Sequence, residues 1–208
     1  METKMEITTE MVKRLREKTG AGMMECKKAL VEANGNEEEA ITLLRKRGLA
    51  QAARRSGRAT AEGLVGSYIH MGGKIGVLVE VNCESDFVAR TEPFQALVKE
   101  LSLHIAAADP KYVSREEIPA DVLDGERAIY RAQFEGSGKP KDVIDKIVEG
   151  KLGAFYTQVV LLDQPNIRDA GVTIAQMIAA TAATLGENVS VRRFVRFKVG
   201  EGSGEPGM

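Results

Sequence analysis

The hydrophobic period changes partway along the chain, and that change limits the possible fold more than any other feature. Before residue 50 the apolar residues recur every three to four positions, as on a helix face; from Leu64 to His70, Lys74 to Asn82 and Asn188 to Val199 they form runs rich in β-branched residues. Helices, two strands, more helices and a last strand predict an α+β fold, with helices packed beside a three-stranded antiparallel sheet. No second copy of the strand pair is present, which excludes a longer repeat architecture. The 208 residues suffice for one domain or a few small modules. With 5% aromatic residues and no Trp, the core must be mainly aliphatic, which favours helices over a sandwich.

Three short helices are predicted first. Thr8 or Thr9 caps a helix carrying Met11, Val12 and Leu15, and Gly20 stops it. A second places Met23, Cys26, Leu30 and Ala33 on one face and ends at Asn34-Gly35. Asn36 and Glu39 resemble a capping box for a third, with Ala40, Ile41 and Leu44 inward and Gly48 closing it. Such a module is too small for a secure core of its own, so neighbours or partners must support it.

A boundary falls near residue 55, giving a division into 1–55 (three-helix module and connector), 56–200 (α+β core) and 201–208 (disordered tail). Met71-Gly72-Gly73 turns one strand into the next. In the last strand Val189, Val191, Arg193, Val195, Phe197 and Val199 share a face, and Ser190, Arg192, Phe194, Arg196 and Lys198 the other. Between them, Phe94 to Ala108 forms one helix, Ser114 and Glu117 a capping box, Ile144 to Val159 a further helix, and Ile174 to Leu185 the last, stopped by Gly186. A three-stranded sheet has edges and a face to cover, which points to self-association.

The net charge of −1 demands no polyanionic partner, although residues 1–60 carry +4 and the rest −5. Arg45, Lys46, Arg47, Arg54, Arg55 and Arg58 cluster without an acid among them, either a solvated helix end or a patch for phosphate or an acidic partner. Cys26 and Cys83 lie far apart, as in a reduced intracellular protein, and neither a signal-peptide core nor a membrane-spanning run is present, so the expected location is the cytoplasm. His70 and His104 with two isolated cysteines make a poor supply of zinc ligands, so no metal or other cofactor is expected. Cys83 beside Glu84 has no histidine placed to activate it. Gly136-Ser137-Gly138-Lys139-Pro140 lacks the first glycine and the hydroxyl residue of a phosphate loop, because Gln133 and Pro140 stand there; no nucleotide binding is expected.

Two turns remain open to two readings. Met23 and Met24 follow a glycine turn and suit either the module's core or a flexible partner surface. In Cys83-Glu84-Ser85-Asp86-Phe87-Val88-Ala89-Arg90, where a strand meets a helix, Asp86 reads as a helix cap and Phe87 as a core plug, or both as a displayed tip.

The stretches from Val12 to Leu30, with Thr19-Gly20-Ala21-Gly22-Met23-Met24-Glu25-Cys26-Lys27-Lys28-Ala29-Leu30, and from Glu80 to Ala89 resemble the two signatures of bacterial translation elongation factor Ts. The likeness continues through Gly66 to His70, Gly76 to Val79, Gly186-Glu187-Asn188 and Val191 to Phe194, nearly the whole chain. It implies a guanine-nucleotide exchange factor, not an enzyme, that binds elongation factor Tu and promotes GDP release during translation elongation. It implies a ubiquitin-associated-like module followed by one half-core, the short form of the family, as a homodimer in a two-plus-two complex. Carried over by the same likeness, Asp86 and Phe87, with Ser85 and Val88 setting the tip, form the wedge beside the partner's magnesium and phosphates. Leu15, Met23 and Met24 dock on its nucleotide domain, and Tyr68 and His70 meet a second domain. Ser85 stands where the family motif usually has Thr and keeps the hydroxyl.

An RNA-binding protein using the basic cluster and Arg192, Arg193, Arg196 and Lys198 is the first rival. Near-zero net charge and few aromatic residues for stacking oppose it. A small enzyme using Cys83 with Glu84 is the second, and rapid, selective alkylation of Cys83 would favour it.

Overall fold

A computed structural model describes residues 7–134 and 136–201. The predicted tail, apart from Glu201, lies outside the described residues. Among them the fold is α+β, as the change of period predicts: eight α-helices and one three-stranded antiparallel sheet. Helices α1 (Thr9–Thr19), α2 (Met23–Glu32) and α3 (Glu37–Arg55) precede strands β1 (Glu62–Ile69) and β2 (Ile75–Cys83). Then come α4 (Asp86–Ala89), α5 (Glu92–Ala108), α6 (Ala120–Ala132), α7 (Lys141–Val159), α8 (Ile174–Leu185) and β3 (Val189–Lys198).

Two compact units are interleaved along the chain. The first takes the described residues up to Leu64 with Asn82–Leu97 and Gln176–Ser190; the second takes Val65–Val81, Val98–Ala175 and the described residues from Val191.

In the first unit the caps follow from local chemistry. Thr8 Oγ1 accepts from the Met11 amide at 3.3 Å, Asn36 Oδ1 from the Glu39 amide at 3.2 Å, and Gly20, at φ +65°, ends α1 by donating its N–H to Arg16 O. Val12, Leu15, Cys26, Ala29, Leu30, Ala33 and Ala40 form one buried cluster. Gly48 does not close the third helix, as expected from sequence, since α3 continues to Arg55. A Cβ there would come within 3.3 Å of the Ala183 Cβ on α8, so this glycine serves close helix packing at the cost of some helix propensity.

In the second unit β2 is the central strand. The β1–β2 turn uses Gly72 and Gly73, both at positive φ, and the His70 amide donates to Ile75 O. Val77 and Val79 are buried, and Gly66 meets α5 so closely that a Cβ would lie 2.4 Å from Val98 Cγ1 and 2.9 Å from Ser102 Oγ. The opposite sheet face leaves Val65, Ile69, Leu78, Val195 and Phe197 exposed. Thus β3 alternates as its sequence predicts, yet its apolar members Val195 and Phe197 turn outward while the Arg196 side chain is buried. Arg196 donates to Ala106 O and pairs with Asp109, because the C-terminal end of α5 attracts a cation.

Ser114 and Glu117 open only a single 3-10 turn, and the Ser114 side chain makes no cap bond. Glu117 accepts instead from the Val113 amide at 2.8 Å, and α6 starts after Pro119. The Gly136–Pro140 fragment belongs to the connection between α6 and α7, with Gly136 and Gly138 at positive φ.

His104 on α5 is fully buried. Gln164 donates its amide nitrogen to Gln158 O and Ala108 O, which turns its oxygen toward His104 Nε2 at 2.9 Å and fixes the ring proton there. His104 Nδ1 has no hydrogen-bond partner among the described residues.

Candidate functional site

Where β2 ends, the chain makes one helical turn and displays its first two residues. Ser85, extended at φ −131°, caps α4 by accepting from the Val88 amide at 3.4 Å. Val88 and Ala89 are buried, so the turn is anchored from below, whereas Asp86 is exposed and Phe87 is 79% exposed. Of the two readings open for this turn, the one with Asp86 as cap and Phe87 as core plug fails: Ser85 is the cap and Phe87 lies in water. An aromatic ring left in water is the informative exception to apolar burial. Asp86 is paired with Arg90 at 2.7 Å, both side chains largely exposed, so the pair contributes little stability and can open at small cost.

The start of this turn is held by a carboxylate from the other end of the chain. Glu187, between α8 and β3, accepts at Oε2 from the Glu84 amide at 3.1 Å and the Ser85 amide at 3.0 Å, and at Oε1 from the Ser85 hydroxyl at 2.6 Å. Glu84 returns the arrangement: its Oε1 accepts from the Asn188 amide at 2.6 Å and faces Arg58 Nη1 at 3.4 Å. The Asn188 amide, and secondarily Arg58, hold the Glu84 carboxyl below the usual carboxylate range. The Asn188 side chain donates to Ser56 O and Arg58 O, which ties the segment after α3 to the same site. Sequence reasoning gave Glu187 and Asn188 no role; their signal was only their place in the resembling stretch Gly186-Glu187-Asn188.

Cys83 lies directly beneath. Its thiol is buried and donates to Ser85 O at 3.1 Å, and burial followed by the negative charge of Glu187 pushes its pKa up. A thiol held protonated is a poor nucleophile, which weighs against chemistry at Cys83.

The other predicted surface residues divide. Met24 is 65% exposed, Met23 is half-buried against the helical core, and Leu15 is fully buried in it. Leu15 therefore has no exposed surface to offer a partner and packs in the module's core. Met24 and Phe87 belong to the same compact unit. Tyr68, half-buried on β1, places its hydroxyl 3.0 Å from Nδ1 of the exposed His70 just beyond the strand.

Among the described residues no three His, Cys, Asp or Glu side chains are grouped to hold a metal ion, and no helix is long and apolar enough to cross a membrane. The displayed Phe87 ring, the exposed Met24 in the same unit and the exposed apolar sheet face are the surface features that stand out among the described residues.

Comparison with known proteins identifies the lineage. Residues 2–201 match the family described as elongation factor TS. The chain is 56% identical over 198 residues to elongation factor Ts of Geotalea uraniireducens (strain Rf4), covering 95% of this chain and 92% of the relative. It is 57% identical over 197 residues to elongation factor Ts of Fervidobacterium nodosum, covering 95% of this chain and 100% of the relative. Against elongation factor Ts of Solibacter usitatus the identity is 54% over 199 residues, covering 96% and 94%. The chain belongs to the elongation factor Ts family, and membership carries a nucleotide-exchange role in translation elongation.

Proposed function

We propose that this protein binds elongation factor Tu in the cytoplasm and accelerates release of GDP from it, using Asp86 and Phe87 as a wedge against the groups around the bound magnesium and phosphates. The observation that carries the reading is the 79% exposure of Phe87 on a turn whose next two residues are buried. The tip is thereby presented without refolding, so little ordering entropy is lost on contact.

Energetics set the division of labour. Wedge and nucleotide oppose each other reciprocally: whatever factor the exchange protein weakens the nucleotide by, the nucleotide weakens the exchange protein by the same factor. An acceleration of roughly 10³ to 10⁴ requires about 4–5.5 kcal/mol of barrier lowering. Burying the Phe87 ring supplies ~1.5–3 kcal/mol. Asp86, once released from Arg90, and docking through Met24 and the half-buried Met23 supply the rest, and Tyr68 and His70 meet a second domain of the partner. Asp86 acts by repelling phosphate or competing for groups that hold the magnesium.

Residues 1–55 serve docking and residues 56–200 dimerisation in this scheme. Two copies pair through the open sheet face of Val65, Ile69, Leu78, Val195 and Phe197, whose exposure supports that use. The protein itself needs no nucleotide or cofactor.

The test is release of a fluorescent GDP from purified cognate elongation factor Tu, chased with excess unlabelled GDP. Acceleration that saturates with added protein is the expected result. An unchanged release rate at micromolar concentrations of both proteins would sink the reading.

A further inference from the structure

We propose that Glu187 is the positioning residue of the tip, holding Asp86 and Phe87 at the angle from which they act; this rests on the reading of that tip as the exchange wedge. A four-residue helical turn is far below the length at which a helix holds itself, so the direction of Phe87 is set by what fixes the turn's two ends. The C-terminal end is fixed by burial of Val88 and Ala89. The N-terminal end is fixed by Glu187, whose carboxylate takes all three donors of the dipeptide before the tip: the Glu84 amide, the Ser85 amide and the Ser85 hydroxyl.

Each of those bonds has a consequence for the tip. The two amides follow the end of β2 and so have no strand partner there, and the carboxylate satisfies both with charge-assisted bonds. The Ser85 hydroxyl has one proton; giving it to Glu187 at 2.6 Å leaves its lone pairs to accept the Val88 amide, which is the cap of the turn. Glu187 therefore orients the group that caps α4. Glu84 completes the exchange by taking the Asn188 amide, so the dipeptides Glu84-Ser85 and Glu187-Asn188 each place a carboxylate on the other's backbone. Removing one carboxylate oxygen from this square frees the tip without touching any side chain displayed to the partner.

The experiment compares Glu187→Gln, Ser85→Ala, Phe87→Ala and the double variant Glu187→Gln/Phe87→Ala with the wild type. GDP-release rate is followed as a function of factor concentration, and folding is checked by circular dichroism and melting. A loosened tip lowers the rate at saturating factor, by about tenfold for Glu187→Gln, while the concentration for half-saturation, set by docking, changes less than twofold. The double variant is slower than Phe87→Ala by well under the tenfold that Glu187→Gln costs alone, since with the ring gone only Asp86 is left to misdirect. Ser85→Ala keeps both backbone bonds to Glu187 and removes only the hydroxyl; it lowers the saturating rate in the same manner, and Ser85→Thr restores it. This pair decides the proposal even where the Gln variant does not fold. A folded Glu187→Gln or Ser85→Ala chain with wild-type saturating rate, or losses that add fully to that of Phe87→Ala, overturns the positioning role. Failure of the wedge reading itself gives a different pattern, in which Phe87→Ala exchanges as fast as wild type.

Discussion

Replacing Phe87 by Ala separates function from stability more sharply than any other single change. The ring is 79% exposed, so nearly all of its transfer free energy is uncollected in the free protein. Fully burying a phenylalanine is worth about 1.5–3 kcal/mol, which converts to a loss of about 10- to 150-fold in GDP release when the ring is missing. Folding stability, by contrast, changes by no more than about 0.5 kcal/mol, as for surface substitutions elsewhere, and the melting temperature by about 1–2 °C. The assay pairs stopped-flow release of fluorescent GDP from elongation factor Tu with a thermal melt of each variant. Two results refute the reasoning. One is a release rate within a factor of two of wild type, which removes the ring from the mechanism. The other is a melting temperature lowered by 5 °C or more (beyond the ~2–4 °C per kcal/mol expected at this size), which makes Phe87 a core residue in solution.

Three further outcomes are expected. Gly66→Ala forces a Cβ to within 2.4 Å of Val98 Cγ1, and overpacking of this kind costs about 1–3 kcal/mol, read as a lower urea midpoint; an unchanged midpoint would show that α5 moves freely away from β1. Phe197→Glu places a charge on the open sheet face at a 67% exposed position; if the proposed pairing through this face holds, wild type sediments as a dimer and the variant as a folded monomer, while a monomeric wild type or a dimeric variant refutes that pairing. Burial lowers the His104 pKa below its ordinary 6.5, so under acid the unfolded chain gains a proton that the folded chain resists. Its contribution is therefore complete above about pH 6.5 and lost as pH falls from there toward the folded-state pKa, with a slope of up to ~1.4 kcal/mol per pH unit. Chemical denaturation of His104→Gln, compared with wild type between pH 7 and pH 5, shows the smaller loss if this is correct and an identical slope if it is not.

Local chemistry was legible in the sequence and distant chemistry was not. Thr8, Gly20 and Asn36 act within a turn of themselves, so their capping roles follow from residue type and spacing, and the glycine turn between β1 and β2 was found the same way. Gly48 misled because its reason lies on another helix, opposite Ala183, where a stop signal and a packing glycine have the same spelling. Alternation on β3 was readable, but the side facing the helices was not: the apolar set points outward and Arg196 finds the end of α5. Leu15 was assigned to a docking surface by family likeness although its helical period had already placed it inward. For the tip, residue types allowed a cap and a core plug; only the burial of Val88 and Ala89 shows that Phe87 must point away. The carboxylate that holds Ser85 lies 102 positions along the chain, beyond the reach of any periodicity.

The tip's construction explains why burial of Val88 and Ala89 is supplemented by carboxylates at the turn's N-terminal end. A ring that must sit in water before it meets its partner cannot be held by its own burial, because any contact that buried it here would have to be broken there. Its direction must come from its neighbours: the burial of Val88 and Ala89 after it and bonds to the backbone before it. Carboxylates are suited to making them. Glu187 and Glu84 each reach across to the amides of the other's segment, where directional bonds fix an angle that a packed methyl group would leave loose. Burial raises the pKa of Cys83 first, and the negative charge of Glu187 beside the thiol adds to the rise. The Arg90 pairing of Asp86 follows too: with the turn fixed from below, the displayed carboxylate is balanced by an exposed partner that a competing charge can displace. Rigidity at the base and replaceable contacts at the tip suit the proposed wedge, in which binding energy would displace the partner's groups instead of bending the turn.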